Sequence, residues 1–352
     1  MEQVRVGFVG AGMMSQTTHI PCFQQAQGAQ VTAVASSRPA LLAQVADRFA
    51  IRKRYAGHRD LAQDPDIDLA AVIVPPEVNV DICIDLVEAG KHVFCEKPVS
   101  LSAEDARRMA DAASASNRLL MVGFMKRFDS GVLAAKGVVN DWRASGEMGK
   151  PLLARAHSFI GGDWTANVEA LMPVIKTDEA MSDKPLTDLP EWVPEKYAGP
   201  WGPYYFLNHV HSHDMDLLNY FLGPQFEVLN ADWRHDAKIV TLDFEGVPAI
   251  IEVGKCSQNN RWDEELTVYF EGGSVCVKLP PPMLINVPAR VEVYHMGARQ
   301  QVCDLHAPYG WSFLNQAQNA VDAVAEKAGP ICTIQDGIAQ VSMTEGIFRA
   351  LA

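Results

Sequence analysis

The sequence predicts an α/β chain: an N-terminal doubly wound parallel sheet, then a C-terminal α+β region built on an open, largely antiparallel sheet. Three observations carry this. Through residue 125, short apolar strands alternate with amphipathic helical stretches, the pattern of a parallel sheet covered on both faces. After residue 125, extended segments follow one another with turns between them, which predicts antiparallel pairing. With 352 residues and 48% hydrophobic content, the chain is long enough for two cores. The reading places domains at 1–125 and 126–352.

Residues 4–9, "VRVGFV", form the first strand. "GAGMMS" follows at 10–15, and then helical sequence to about Gln27. A strand, a glycine turn and a helix make a dinucleotide-binding arrangement. Gly10 permits the tight turn, Gly12 lets the backbone approach a pyrophosphate, and the helix start, at Met13 and Met14, offers N–H groups to that anion. Ser15 stands where the third glycine of the pattern is expected. The alternation continues: strand 30–35, helix 39–50, strand 69–74, helix 78–89, strand 91–95, helix 102–116 and strand 119–124. Pro75, just past the third strand, belongs to the same rim. At the end of the second strand a carboxylate would bind the ribose 2′-OH of NAD. No Asp or Glu occurs between Glu2 and Asp47; Ser36, Ser37 and Arg38 stand there instead. Hydroxyls and a guanidinium suit a 2′-phosphate, so the reading is NADP or NAD, with NADP favoured.

Composition excludes several classes. Lys and Arg total 30 against 43 Asp and Glu, a net charge of −13, which argues against nucleic acid as a partner. No stretch approaches the roughly 20 apolar residues that span a bilayer, and "MEQVRVGFVG" lacks a signal-peptide layout. The seven cysteines form no CxxC pair, which predicts reduced thiols in a cytoplasmic protein.

"HVFCEKPVS", residues 92–100, runs from an apolar strand directly into Glu96, Lys97 and Pro98. An ordinary turn would explain Lys-Pro alone. In a doubly wound sheet, however, this is the rim beyond the strand ends, where ligands bind. With the glycine turn before it and "GFMKRF" (123–128) after it, "AGKHVFCEKPVS" resembles the Gfo/Idh/MocA family over nearly the whole chain. The resemblance implies that Lys97 contacts the reacting hydroxyl or carbonyl, that Pro98 is cis, and that Glu96 belongs to the same cofactor-side block. An ammonium beside that oxygen stabilises the charge that builds during hydride transfer.

In the second half, helical sequence at 129–145 leads to a strand at 151–164. Further strands are expected at 226–233, 237–245, 248–257, 265–271, 274–279 and 291–296, with "EGGS" (271–274) as a hairpin turn. Helices at 312–327 and 335–351 close the chain. One face of the open sheet needs cover, so a homodimer or homotetramer is expected.

In "NHVHSHDMDLLNYFLG" (208–223), Leu217, Leu218, Phe221 and Leu222 give a helical stripe. His209 and His213, four apart, share a face of such a helix. The family resemblance places its catalytic histidine at His213, as general acid or base. It places an aspartate where His209 stands, and a histidine there supplies no negative charge. Asp214 or Asp216 is a possible substitute; Asp216 reads first as a first-turn acid answering the helix dipole. Two other readings compete: the histidines satisfy a helix start, or His209, His211 and His213 alternate in extended form around a metal. The favoured reading has no metal. The acid-, Pro- and Gly-rich stretch 161–206 precedes them and carries Trp164, Trp192, Trp201 and Tyr204. These rings either face a sugar or staple the loop. Trp164 is taken as a substrate candidate, with Arg127, His209 and His213; Arg127 is equally readable as structural.

Together these point to an NAD(P)-dependent oxidoreductase acting on a secondary alcohol or ketone of a sugar, cyclic polyol or glycoside. Redox-neutral elimination or glycoside hydrolysis with a tightly held cofactor is one alternative. A nucleotide-sensing regulator without turnover is another.

Overall fold

A computed structural model of the chain describes residues 3–161, 172–180, 189–198, 202–234, 237–256, 262–296 and 300–351. Two compact units appear. One comprises Met1–Phe124, Asn167–Pro190 and Phe313–Val341; the other comprises Met125–Ala166, Glu191–Ser312 and Ser342–Ala352. The chain first changes unit between Phe124 and Met125, and 167–190 and 313–341 return to the first unit.

In the first unit, β1 (Val4–Val9) leads through a π-helical turn (Ser15–His19) into α1 (Ile20–Gln25). Then come β2 (Ala29–Ala35), α2 (Pro39–Arg48), β3 (Lys53–Tyr55), α3 (His58–Ala62), β4 (Leu69–Val72), α4 (Pro76–Glu88), β5 (His92–Cys95), α5 (Ala103–Ala115) and β6 (Leu120–Val122). The six strands are parallel, in the order β3-β2-β1-β4-β5-β6. Every residue of β4 is buried, as sequence without polar alternation requires in a sheet covered on both sides. Pro39 and Pro76 open α2 and α4, where a fixed φ and a missing N–H are harmless. Strand order reverses between β1 and β4, and ligands of such sheets bind beyond the carboxyl ends at that point. β3 and α3 were not expected from the sequence; β3 is a three-residue edge strand, "KRY", with no fully buried position.

The second unit contains α6 (Ser130–Ser145), β7 (Pro151–Gly161), α7 (Pro203–His209), α8 (Ser212–Leu222), β8 (Glu227–Asp232), β9 (Lys238–Phe244), β10 (Val247–Cys256), β11 (Trp262–Phe270), β12 (Gly273–Lys278), β13 (Arg290–Met296) and β14 (Gln300–Leu305). Its sheet runs β14-β13-β12-β11-β7-β10-β9-β8. β7 and β10 pair in parallel; the other pairs are antiparallel. "EGGS" makes the β11–β12 hairpin, with Phe270 opposite Gly273. Asp129 caps α6 by accepting from the Gly131 N–H (2.8 Å), and Gly146, at φ +69°, ends it. α6 lies on β12 and β13, and α8 on β7, β10 and β11. Helices α9 (Ser312–Val324) and α10 (Ile334–Ala350) close the chain. Among the described residues, no helix is long and apolar enough to cross a membrane, and Cys22, Cys83, Cys95, Cys276, Cys303 and Cys332 are unbridged.

Candidate functional site

The glycine turn follows β1. Gly10 has φ +103°, and a Cβ there would stand 2.1 Å from the Ile73 carbonyl oxygen. Both facts restrict the position to glycine. Its N–H donates to the Ala35 carbonyl (2.9 Å). A Cβ built on Gly12 meets nothing within 4 Å, so open space lies beside that backbone, as a dinucleotide cradle requires. At the third-glycine position, the Ser15 hydroxyl donates to the Gly10 carbonyl (2.8 Å) and ties the turn from within. Met13 and Met14 are half-buried at the helix start, and Pro75 is exposed on the rim after β4.

At the end of β2, the Ser36 N–H donates to the Tyr55 carbonyl (3.1 Å), and the Ser36 hydroxyl accepts from the Arg38 N–H (3.3 Å). Ser37 is exposed and Arg38 half-buried. Arg38 is the N-cap residue of α2 and makes no side-chain cap. The cap comes from elsewhere: Glu179 accepts from the N–H groups of Ala40 (2.9 Å) and Leu41 (3.1 Å). Those bonds, with the Arg38 charge nearby, hold the Glu179 carboxyl below its ordinary range. Glu179 carries no local sequence signal, because its partner Ala40 lies 139 residues away.

Beyond β5, the Glu96 N–H donates to the Val72 carbonyl (3.0 Å), continuing the strand pairing. The Glu96 carboxylate then works in two directions. Oε2 accepts from the Lys97 N–H (2.9 Å), and Oε1 accepts from His19 Nε2 (2.7 Å), which fixes the His19 proton on that nitrogen. His19 is 1% exposed and packs against Phe94 and Phe313, each ring 5.6 Å away. The Lys97–Pro98 peptide is cis. On the far side, the Val99 carbonyl accepts from Asn79 Nδ2 (2.8 Å). Glu96 and Lys97 are half-buried, and Pro98 is buried. His19 and Asn79 are functional candidates the sequence did not single out. Nothing in their spacing points to Glu96 or Val99.

In the second unit, the expected single helix through 209–213 is two helices. His209 ends α7, and His213 is the second residue of α8, so the premise of one shared helical face is corrected. The extended alternation needed for a three-histidine metal site is likewise not formed. Among the described residues no group of three or more His, Cys, Asp or Glu is placed to hold a metal ion. His209 Nδ1 donates to the Tyr205 carbonyl (2.9 Å), which fixes a proton there. His213 is 9% exposed.

His211, Asp214 and Asp216, which flank His213 in sequence, belong to a buried polar network. His211 Nδ1 donates to Asp214 (2.9 Å). Burial pushes the Asp214 carboxyl up, but the His211 hydrogen bond and charge, Lys126 and a hydrogen bond with Glu264 together bring it below its ordinary value. Glu264 goes the other way. Burial, aided by the Asp214 charge, lifts its carboxyl to about 7 against the pull of Lys126 and Trp262. Lys126 Nζ pairs with Glu264, and Trp262 Nε1 donates to it (2.8 Å). Asp216, read from the sequence as a dipole-answering acid, is fully buried in a fork with Arg127, whose Nε (2.8 Å) and Nη2 (2.6 Å) both donate to it. Arg127, a candidate substrate contact, is 3% exposed, and its guanidinium also lies over Tyr220 (4.7 Å). Of the candidate sugar-facing rings, Trp164 and Trp201 lie outside the described residues. Tyr204 is fully buried against Phe348 (4.9 Å), and Trp192 packs edge-on to Tyr204 (5.8 Å).

Residues 4–124 match the family model described as "Oxidoreductase family, NAD-binding Rossmann fold". An inositol 2-dehydrogenase/D-chiro-inositol 3-dehydrogenase of Shouchella clausii is 30% identical over 280 residues, covering 75% of this chain and 77% of that relative. An inositol 2-dehydrogenase of Salmonella paratyphi B is 29% identical over 240 residues, covering 68% of this chain. The chain spans 60% of the length of that second relative. A levoglucosan dehydrogenase solved in complex with NADH and L-sorbose superposes with a TM-score of 0.77 at 21% identity, covering 99% of this chain and 97% of that one. At that identity the likeness is one of fold.

Proposed function

The chain belongs to the Gfo/Idh/MocA oxidoreductase family, and on that premise we propose that it is an NAD(P)-dependent dehydrogenase or reductase. Its substrate is a secondary alcohol or ketone carbon of a sugar, cyclic polyol or glycoside. One observation carries the reading: the Glu96–Lys97–Pro98 turn, held by His19 on one side and Asn79 on the other, at the carboxyl edge of the sheet that bears the glycine turn.

The cradle fits a dinucleotide, because Gly10 admits no side chain and Gly12 leaves its space open. Gly10, Gly12, Met13 and Met14 take the pyrophosphate. Ser36, Ser37 and Arg38 take the adenosine ribose, and Pro75, Glu96, Lys97 and Pro98 the nicotinamide end. By themselves Ser36, Ser37 and Arg38 favour the 2′-phosphate of NADP; Glu179 weighs against it. A bound nicotinamide supplies the hydride acceptor or donor.

The chain's own groups handle the oxygen and the proton. Lys97 sets its ammonium against the substrate oxygen, where negative charge gathers as the carbinol C–H bond breaks. His213 takes the hydroxyl proton during oxidation and returns it during reduction. His209 stands where the family resemblance implies an aspartate. With Nδ1 holding a proton on Tyr205 O, neutral His209 presents Nε2 as an acceptor and can orient a partner without adding negative charge. Arg127 acts through Asp216, fixing α8 and with it His213.

The same reading takes the open face of the eight-stranded sheet as the contact with a second copy, in a homodimer or homotetramer, and the cytoplasm as the compartment. That face carries half-exposed charge, with Arg155 paired to Glu252 and to Glu265 (3.6 Å).

The test is an assay of the purified chain with NAD or NADP and a panel of inositols, aldoses and anhydrosugars. The expected result is substrate-dependent reduction of the nicotinamide, lost in Lys97→Ala. Absence of any nucleotide-induced rise in melting temperature, together with no turnover, would overturn the reading.

A further inference from the structure

Helix α2 opens with an unusual capping problem. Arg38 is its N-cap residue, and an arginine side chain offers no acceptor. Pro39 follows and has no N–H, so the Ala40 and Leu41 N–H groups are the first donors the helix presents. They point their positive end at the loop 36–38, the position from which this fold class reads the ribose 2′ substituent. In the structure both are taken by one carboxylate, Glu179, with Oε1 on Ala40 (2.9 Å) and Oε2 on Leu41 (3.1 Å). The Thr177 hydroxyl donates to the same carboxylate (3.0 Å).

Glu179 does not arrive alone. Residues 172–180 are tied along the first unit at three points. Gln16, in the turn after the glycine loop, pairs with Ile175 in both directions: the Ile175 N–H donates to Gln16 Oε1 (2.8 Å), and Gln16 Nε2 donates to the Ile175 carbonyl (3.1 Å). Arg48, at the end of α2, donates to the Pro173 carbonyl. Glu179 makes the third tie. The segment therefore runs from the pyrophosphate side of the cradle to its adenosine side, and sets a negative charge beside Arg38.

We propose that Glu179 is a cofactor-specificity residue. Its carboxylate holds the backbone donors, and offsets the Arg38 charge, that a 2′-phosphate would use, so the chain binds NAD in preference to NADP. This rests on the dehydrogenase reading above and deepens it. A carboxylate that accepts two N–H bonds still has lone pairs for a neutral ribose hydroxyl, whereas it repels a dianionic phosphate. Glu179 thus supplies, from the far side of the sequence, the acid that the second strand lacks.

The experiment is direct titration of NADH and NADPH onto the full chain, wild type against Glu179→Gln and Glu179→Lys, each also in an Arg38→Ala background. The ratio of the two dissociation constants is the readout. Wild type is expected to favour NADH. In either Glu179 variant the ratio should move toward NADPH by about tenfold or more, the size of one or two charge-assisted hydrogen bonds, with the larger shift in Glu179→Lys. Arg38→Ala should erase much of that shift. The side chain is half-buried, and each variant that melts cooperatively decides independently. A ratio unchanged within about twofold, or equal changes for both nucleotides, would show Glu179 to be a helix cap alone and overturn the proposal. Failure of the wild type to bind either nucleotide would defeat the dehydrogenase reading first, and this inference with it.

Discussion

The glycine turn after β1 and the break between α7 and α8 are both short interruptions that place chemistry, yet they are specified in opposite ways. At the first, the backbone decides. Gly10 has a left-handed φ and no room for a Cβ, so the residue type is dictated locally. At the second, buried side chains decide. Val210 and His211 carry no Gly or Pro signal, and α8 is set by partners far off in sequence: Arg127 for Asp216, 89 residues away, and Glu264, itself paired with Lys126, for Asp214. A site fixed by backbone sterics announces itself in a single sequence. A site fixed by a buried charge network does not.

Four measurements bear on that contrast. Arg127→Ala leaves Asp216 buried without its fork and should destabilise the fold by about 3–5 kcal/mol, read as a drop in urea midpoint. If instead stability holds and only substrate affinity falls, Arg127 is a substrate contact and the network account is wrong. Lys97→Ala should keep nucleotide binding and lose about 10²–10³-fold in kcat, the scale of removing one preorganised charge-stabilising donor. A loss confined to KM would instead assign Lys97 to simple binding.

His19→Ala removes the donor that holds Glu96 and should lower kcat by about tenfold with little change in KM, while His19→Gln, which keeps an N–H donor, should recover part of it. Equal loss in both variants would mean that ring packing against Phe94 and Phe313 is all His19 provides.

The last effect is a pH dependence. Glu264 has an ordinary value of 4.5 and sits at about 7 in the fold, so between those values the native state holds a proton that the unfolded chain releases. Its contribution to stability is full below 4.5 and is lost as pH rises to about 7. Asp214 runs oppositely, its share being lost as pH falls below its ordinary 3.8. Glu264→Gln should therefore flatten the decline in urea midpoint between pH 4.5 and 7. An unchanged slope would show that another group carries it.

Much of the first unit was legible because its elements obey local rules. The apolar strands β1, β2, β4, β5 and β6 alternate with helices, two of which begin at proline. β3 escaped notice because it is three residues long on the sheet edge, and β14 because "QQVCDL" has no buried position. The absence of any acid near the end of β2 was visible. That Glu179 fills the place was not, since the chain travels 139 residues before returning. His209 and His213 were singled out by the family resemblance and by their spacing, but that spacing assumed one helix. The turn at 210–211, where His211 bonds Asp214 instead of extending a common face, is a tertiary outcome.

Under the proposed function, this chain moves a hydride between a secondary carbinol carbon and a nicotinamide, with Lys97 at the oxygen. The decisive measurement follows deuterium from the carbinol carbon of a turned-over polyol. The label should appear on nicotinamide C4 with the wild type, and about 10²–10³-fold more slowly with Lys97→Ala although nucleotide still binds. Label that washes into water, or product that forms with no net change in the nicotinamide, would contradict it.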